Sequence, residues 1–324
     1  MNQNSEIQNR ISLLDALRGF ALLGILLVNI ISIMEAEFPE KGTFDWGLSR
    51  FYDYAVEQRF YVIFSLLFGT GFYIFITRAK ARGDNAIVPF IRRLAALLGF
   101  GAVHFVFQPG EALHIYAIIG FLLIPFYNRK PAFNFAAMLA ALGLSLVLGE
   151  YAVTLAMFLL GLLLGQIGFF TRFGEFAPQL RLAAWISLAL TPGALYLQHR
   201  TFPTNWYGEG ANLAGLVMGT LYVSTFLLLY RNRRIQQWLR PLAAFGRNAL
   251  TNYLGQTAII VMILFLFDLK QEVSVTDTTL IALGIYAIQI PLSSLWLKRY
   301  KMGPLEWIWR MLTYGKRIPI RKEM

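Results

Sequence analysis

The chain contains no cysteine. Disulfides, thiol nucleophiles and thiolate metal sites are therefore excluded. Charge is scarce as well: Asp, Glu, Lys and Arg make up 15% of the 324 residues, against 57% hydrophobic residues. A soluble domain carries roughly a quarter of its residues as charges. Familiar catalytic signatures are missing too. There is no phosphate-cradling Gly-Lys-Ser/Thr loop, no Gly-x-Ser-x-Gly elbow and no His-Glu-x-x-His. The alternating pattern of a membrane β-barrel is also absent. Segments that cross a bilayer must then be helices, because only a helix or a closed barrel satisfies its backbone in lipid.

What the chain has in quantity is long apolar stretches. Windows of ~17 to 22 residues with almost no charge recur along it, the length that crosses ~30 Å of hydrocarbon as a helix. They predict spans at about 16–34, 59–77, 91–107, 112–127, 132–149, 151–170, 182–198, 212–230, 249–267 and 278–297. The first run follows Arg10 and Arg18 as a signal peptide would. It is longer than a signal core and no small-x-small site closes it, so it reads as an uncleaved span. The expected fold class is an all-α, polytopic membrane protein with about ten transmembrane helices. Residues 1–324 read as a single transmembrane domain, with 302–324 as a cytoplasmic interfacial helix and basic tail.

The sign of the charge sets the orientation. The net charge is +11. With the N-terminus inside, every Lys and Arg except Lys41, Arg50, Arg59, Arg200 and Lys270 falls on the cytoplasmic side of these spans. The positive-inside rule then places both termini in the cytoplasm. The excess charge is a topology signal and a contact with the anionic lipid of the bilayer, not a nucleic-acid footprint. The first outer loop, 35–58, is acidic, and the loop 199–211 holds His199, Trp206 and Tyr207. Reporter fusions at Glu40 and at Lys270 should both report the outside. A cytoplasmic signal at either overturns this topology.

An ionisable group inside a bilayer costs ~2.5 kcal/mol or more, so each one asks for a reason. The stretch from Phe90 to Tyr127 reads as a membrane hairpin turning at Gln108-Pro109-Gly110-Glu111. His104 within it reads either as an interhelical hydrogen-bond partner or as a general base, since histidine exchanges protons near neutrality. Glu111 and His114 have the spacing of a Glu-x-x-His metal half-site. The matching half-site is missing, so no metal is expected. Glu111 instead orients a histidine or caps the turn. Asp15 and Arg18, one helical turn apart, pair with each other or form an anion cradle. The ninth span opens with Asn248, Thr251, Asn252, Tyr253 and Gln256, which bond neighbouring helices or line a ligand cavity.

Other features speak of packing. Gly161 with Gly165 and Gly215 with Gly219 are small-xxx-small pairs that let helices approach. Pro192 and Pro291 are expected to kink their helices. The tail Gly303–Arg310 reads as a short helix, with Pro304 in its first turn and Glu306 and Arg310 paired at i,i+4. Trp307 and Trp309 suit the headgroup level.

Several segments together resemble one family. They are Arg10-x4-Asp15-x2-Arg18-Gly19-Phe20 with Asn29, Phe68-Gly69-x-Gly71-Phe72, Arg92-Arg93-Leu94, His104, and Gly110-Glu111-x-Leu113-x2-Tyr116-Ala117. Gly246-Arg247-x-Ala249-Leu250-Thr251-Asn252-Tyr253, Gly303-Pro304-Leu305-Glu306-Trp307 and Thr313-Tyr314-Gly315 complete the set. The chain resembles the YeiB-like bacterial membrane proteins, domain of unknown function 418, over nearly its whole length. Glu111 stands where that family usually has Asp, and the loops are shorter. The resemblance implies a bacterial inner-membrane protein of about ten helices. Its Asp-x-x-Arg-Gly opening is similar to that of integral-membrane acyltransferases, which move an acyl group from a cytoplasmic acyl-CoA to an acceptor at the other face.

Two function classes follow. In the acyltransferase reading, His104, Glu111 and His114 are the catalytic candidates and acyl-CoA is the donor. Asp15, Arg18, Asn29, Arg247, Thr251, Asn252 and Tyr253 are then the ligand-binding candidates. In the alternative reading the same polar groups line the path of a small-solute transporter.

Overall fold

A computed structural model describes residues 3–83, 85–202, 204 and 207–322. Trp206, and the side chains of Arg10 and Tyr207, lie outside the described residues. Among those described, every regular element is helical. The helices are α1 (Gln3–Met34), α2 (Phe44–Ala55), α3 (Arg59–Ala81), α4 (Ile87–Phe105), α5 (Leu113–Phe121) and α6 (Pro131–Gln166). They continue with α7 (Ala177–Thr201), α8 (Tyr207–Tyr230), α9 (Arg233–Trp238), α10 (Arg240–Arg247), α11 (Ala249–Phe267), α12 (Val275–Arg299) and α13 (Pro304–Tyr314).

Among the described residues, eight helical stretches are long and apolar enough to cross a membrane. Large apolar side chains also face outward, among them Val147, Trp185 and Phe265, the last 88% exposed. In water such a surface would aggregate; against lipid tails it is the ordinary exterior. The fold is that of a polytopic membrane protein.

The fifth and sixth predicted spans are both contained in α6, which is not straight. Gly149 interrupts it with φ 56°, a left-handed value that glycine adopts without a Cβ clash. Asn134 Nδ2 donates to Gln166 Oε1 at 3.0 Å, and Gln166 Nε2 donates to the Arg129 carbonyl at 2.9 Å. Residues that far apart in a straight helix would be separated by ~48 Å at 1.5 Å per residue. The two halves of α6 therefore run antiparallel, turning at Gly149 and Glu150.

The fourth span departs from expectation. Its helix α5 holds 9 residues, followed by turn residues and a 3-10 turn at Ile124–Phe126. At 1.5 Å per residue α5 alone covers less than half of the ~30 Å hydrocarbon core. A short helix carries its own unsatisfied ends into the bundle, and Glu111 answers that need, as described below. Pro192 and Pro291 lie inside α7 and α12, which both continue through them.

Small residues set the closest helix approaches. A Cβ on Gly161 would strike the Leu66 carbonyl of α3, and one on Gly246 would strike the Asp15 carbonyl of α1. Gly165, Gly215 and Gly219 likewise face Tyr73, Gln58 and Val62. The Gly246 contact matters most for the site. It seats α10 directly on the turn of α1 that carries Asp15 and Arg18, and so brings Arg247 beside them.

Candidate functional site

The basic end of the bundle opens into a cavity of about 540 Å³ between α1, α3, α4, α11 and α13. That is within the ~300–1,000 Å³ common for small-molecule sites. Arg18, Arg78, Arg93, Arg247, Lys301 and Arg310 line it, with Asp15 and Glu306. Deeper in, the lining turns apolar and aromatic: Leu22, Ile25, Phe64, Phe68, Tyr116 and Tyr253. The result is an amphipathic cavity, cationic at one end and greasy at the other.

Three of these cations are held by specific neighbours. Arg18 Nη1 donates to Asp15 Oδ1 at 2.6 Å, so the pair is both an internal salt bridge and part of the cavity wall. Arg247 Nη2 donates to the Lys301 carbonyl at 2.7 Å. The Arg93 guanidinium stacks 3.5 Å from the Trp309 ring centroid, while Trp309 Nε1 donates to the Arg93 carbonyl at 2.8 Å. This double contact locks α13 against α4 and makes α13 a wall of the cavity.

Glu306 does not pair with Arg310, contrary to the i,i+4 expectation. Its Oε1 accepts from the backbone N–H groups of Leu250 (2.7 Å) and Thr251 (3.1 Å), and its Oε2 from Thr251 Oγ1 at 2.6 Å. The first turn of α11 has orphan donors, and the Glu306 carboxylate satisfies them instead of pairing with Arg310. Burial pushes the Glu306 carboxyl above the usual range, although these hydrogen bonds oppose it. Burial also lowers Arg310 below the usual arginine range.

The histidines and Glu111 do come together. Glu111 is fully buried. Its Oε2 accepts from Leu113 N at 2.7 Å, its Oε1 from His114 N at 2.8 Å, and the His114 Nδ1 contacts the same Oε1. The carboxylate thus caps the start of α5. His104 Nδ1 stands 3.5 Å from Glu111 Oε2, and His104 Nε2 is 2.8 Å from Thr257 Oγ1 of α11. Burial pushes the Glu111 carboxyl up, but the hydrogen bonds from His104, His114 and the backbone outweigh it and hold the group below its usual range.

The sequence candidates therefore divide. Asp15, Arg18, Arg247 and Tyr253 line the cationic cavity. Asn29 lines a second cavity at the opposite end of the bundle. Thr251 and Asn252 line neither; Thr251 serves the α11–α13 junction, and Asn252 Nδ2 donates to the Phe245 carbonyl (2.8 Å) and Ser293 Oγ (2.9 Å). His104, Glu111 and His114 line neither cavity. Tyr253 stands between His104 and the cationic one, its ring centroid 4.9 Å from the imidazole. Sequence reasoning missed Tyr61 and Tyr116 as wall residues; it took Arg78 for a topology charge, Arg93 for a family-motif residue and Arg310 for the partner of Glu306, none of them for cavity lining.

The fold and cavity define a multi-pass membrane protein with a buried amphipathic pocket at its basic end. The family described as "Protein of unknown function (DUF418)" matches residues 164–316. A relative described as an uncharacterized 39.9 kDa protein in the amylase 3' region of Bacillus acidopullulyticus is 38% identical, covering 97% of this chain and 96% of its own length. YxaH of Bacillus subtilis is 27% identical over 97% of this chain and 96% of its own. YeiB of Escherichia coli K12 is 23% identical over 93% and 95%. The chain belongs to this YeiB-like DUF418 family. No solved structure matches it.

Proposed function

We propose that the chain is an inner-membrane acyltransferase that takes an acyl-CoA from the cytoplasm. The observation that carries this reading is the lining of the cationic cavity. Arg18, Arg78, Arg93 and Arg247 suit phosphate groups, and the aromatic depth suits an acyl chain. The distant similarity of the Asp15-x2-Arg18-Gly19 opening to membrane acyltransferases supports the same donor. In this orientation both termini and the basic tail lie in the cytoplasm.

The reaction needs little beyond positioning and one proton transfer. A hydroxyl or amine arriving from the far side attacks the thioester carbonyl. The C–S bond breaks, a C–O or C–N bond forms, and the acceptor's proton leaves on the CoA thiol. His104 is the proposed proton carrier, with Glu111 holding its ring. It is reached from the second cavity through Gln108, which lines that cavity and accepts from Thr257 Oγ1 at 3.2 Å. The acceptor takes the place of Gln108 at Thr257, and Thr257 already contacts His104 Nε2.

The direct test is labelled acyl-CoA with protein in proteoliposomes. Binding and consumption are expected. Arg18→Ala should weaken donor binding by ~10- to 100-fold, the effect of losing a charge-assisted contact of about 1.5–3 kcal/mol. A small-solute transporter is the second reading, favoured by the fact that the two cavities share lining residues. If the protein neither binds nor consumes acyl-CoA while it moves a solute gradient across the same vesicles, the transporter reading replaces the first.

A further inference from the structure

The cavity at the acidic end, about 310 Å³, has a chemistry opposite to that of the first. Among the described residues no Lys or Arg lines it, while Glu57 and Glu150 do. Two of its deeply buried lining side chains are amides: Asn29 at 7% exposure and Gln108 at 2%. Each uses its amide oxygen on a protein donor. Asn29 Oδ1 accepts from Tyr61 Oη at 3.0 Å, and Gln108 Oε1 from Thr257. Among the described residues neither amide nitrogen has a protein partner. Both nitrogens keep accessible surface on side chains that are otherwise buried, so they are open to an oxygen of whatever enters the cavity. The Glu150 carboxylate, which accepts from Gln58 Nε2 at 3.4 Å, adds an acceptor for an O–H or N–H donor. Nothing in the lining would neutralise an anion.

The wall between the two cavities is one layer of side chains. Tyr61, Ala112 and Tyr116 line both. Hydrogen bonds hold the layer shut: Tyr61 to Asn29, Tyr116 Oη with Ser65 Oγ at 2.7 Å, and Tyr116 Oη to the Tyr61 carbonyl at 3.2 Å.

We infer that the outer cavity is a second ligand site, for a neutral or cationic group bearing hydroxyls or an amine, and that Tyr61 and Tyr116 are the wall it shares with the anion site. Identifying that ligand as the acyl acceptor rests on the acyltransferase reading; the site and its charge preference do not. In that reading the acceptor and the thioester would meet at the tyrosine layer, which explains why neither cavity needs to run the full thickness of the membrane.

The chain has no cysteine, so a single introduced thiol is the sole reporter. Ser32→Cys marks the outer cavity, and Gly71→Cys marks the cationic one, where an added Cβ meets nothing within 4 Å. Both are treated with the cationic trimethylammonium-ethyl and the anionic sulfonatoethyl methanethiosulfonates, each rate normalised to that with 2-mercaptoethanol. The cationic reagent should modify Ser32→Cys at least ~10-fold faster than the anionic one, the minimum for a cleft of one charge sign. Gly71→Cys should show the reverse order. Equal rates, or an anionic preference at Ser32→Cys, overturn the ligand class. In intact cells, external reagent should leave Gly71→Cys untouched until Tyr61→Ala is added. Tyr116→Ala serves the same purpose should Tyr61→Ala not elute as a monodisperse species. No labelling of Gly71→Cys in a folded wall variant overturns the shared wall. Acyl-CoA binding, measured separately through Arg18→Ala, stands or falls independently of these rates.

Discussion

Glu111→Ala should lower the unfolding free energy by at least ~3 kcal/mol, because two buried backbone N–H groups lose their acceptor at ~1–3 kcal/mol each and two histidines lose a neighbour. The donors left behind are Leu113 N and His114 N, at the start of a helix too short to hold itself in place. Glu111→Gln should fall between, since its carbonyl still accepts one of them while its amide nitrogen faces a donor. Acid should mimic the loss. The folded-state pKa of Glu111 lies below the ordinary glutamate value of 4.5, so the ionised form is favoured by folding. Its contribution is complete above pH 4.5 and is lost as pH falls through the lower folded value. Thermal unfolding in detergent, for the native chain and Glu111→Ala across pH 3–7, checks both points. The gap between the two melting temperatures should narrow in acid. A gap that is small at pH 7, or that stays constant into acid, would mean that Glu111 does not cap α5.

Much of the architecture was legible because hydropathy and charge report one dimension of it well. Apolar runs fix where helices cross, and Arg and Lys fix their ends. Even the turn at Gly149-Glu150 shows as a glycine and a carboxylate between two apolar runs. The cavity was not legible in the same way. Its walls combine Arg18, Tyr61, Arg93, Tyr253 and Arg310, which are close only after α1, α3, α4, α11 and α13 have packed. Arg59 shows the limit most clearly. It reads as one more loop charge near the start of a span, yet it is fully buried, and its guanidinium donates to the Glu57 carbonyl at 2.7 Å and to Gln198 Oε1 at 2.7 Å. Only the approach of α7 makes that burial affordable. Polar residues at a span entrance were ambiguous for a related reason. Thr251 and Asn252 answer to helix ends and neighbouring helices, while Tyr253, next in the chain, turns its ring to the cavity.

His104→Ala should leave a folded protein and remove ~10²–10⁴ of the transfer rate, the usual cost of losing a general base. The alternative role for the same imidazole is to tie α4 to α11 through Thr257, a bond worth only ~0.6–2 kcal/mol inside a membrane protein. These roles differ in what they move. A base controls the rate constant and the pH dependence of turnover; a tie controls the melting temperature and leaves the pH profile alone. His104→Gln separates them, because its amide can still reach a hydroxyl but cannot carry a proton near neutrality. For a base, His104→Gln should melt near the native temperature, bind acyl-CoA with the native Kd, and turn over as poorly as His104→Ala. On the acyltransferase reading, Thr257→Val should follow the same pattern with a smaller loss, since it removes the hydroxyl that contacts His104 Nε2. A His104→Gln protein with native turnover and an unchanged pH profile would assign the Glu111–His104–Thr257 chain to holding α4, α5 and α11 together.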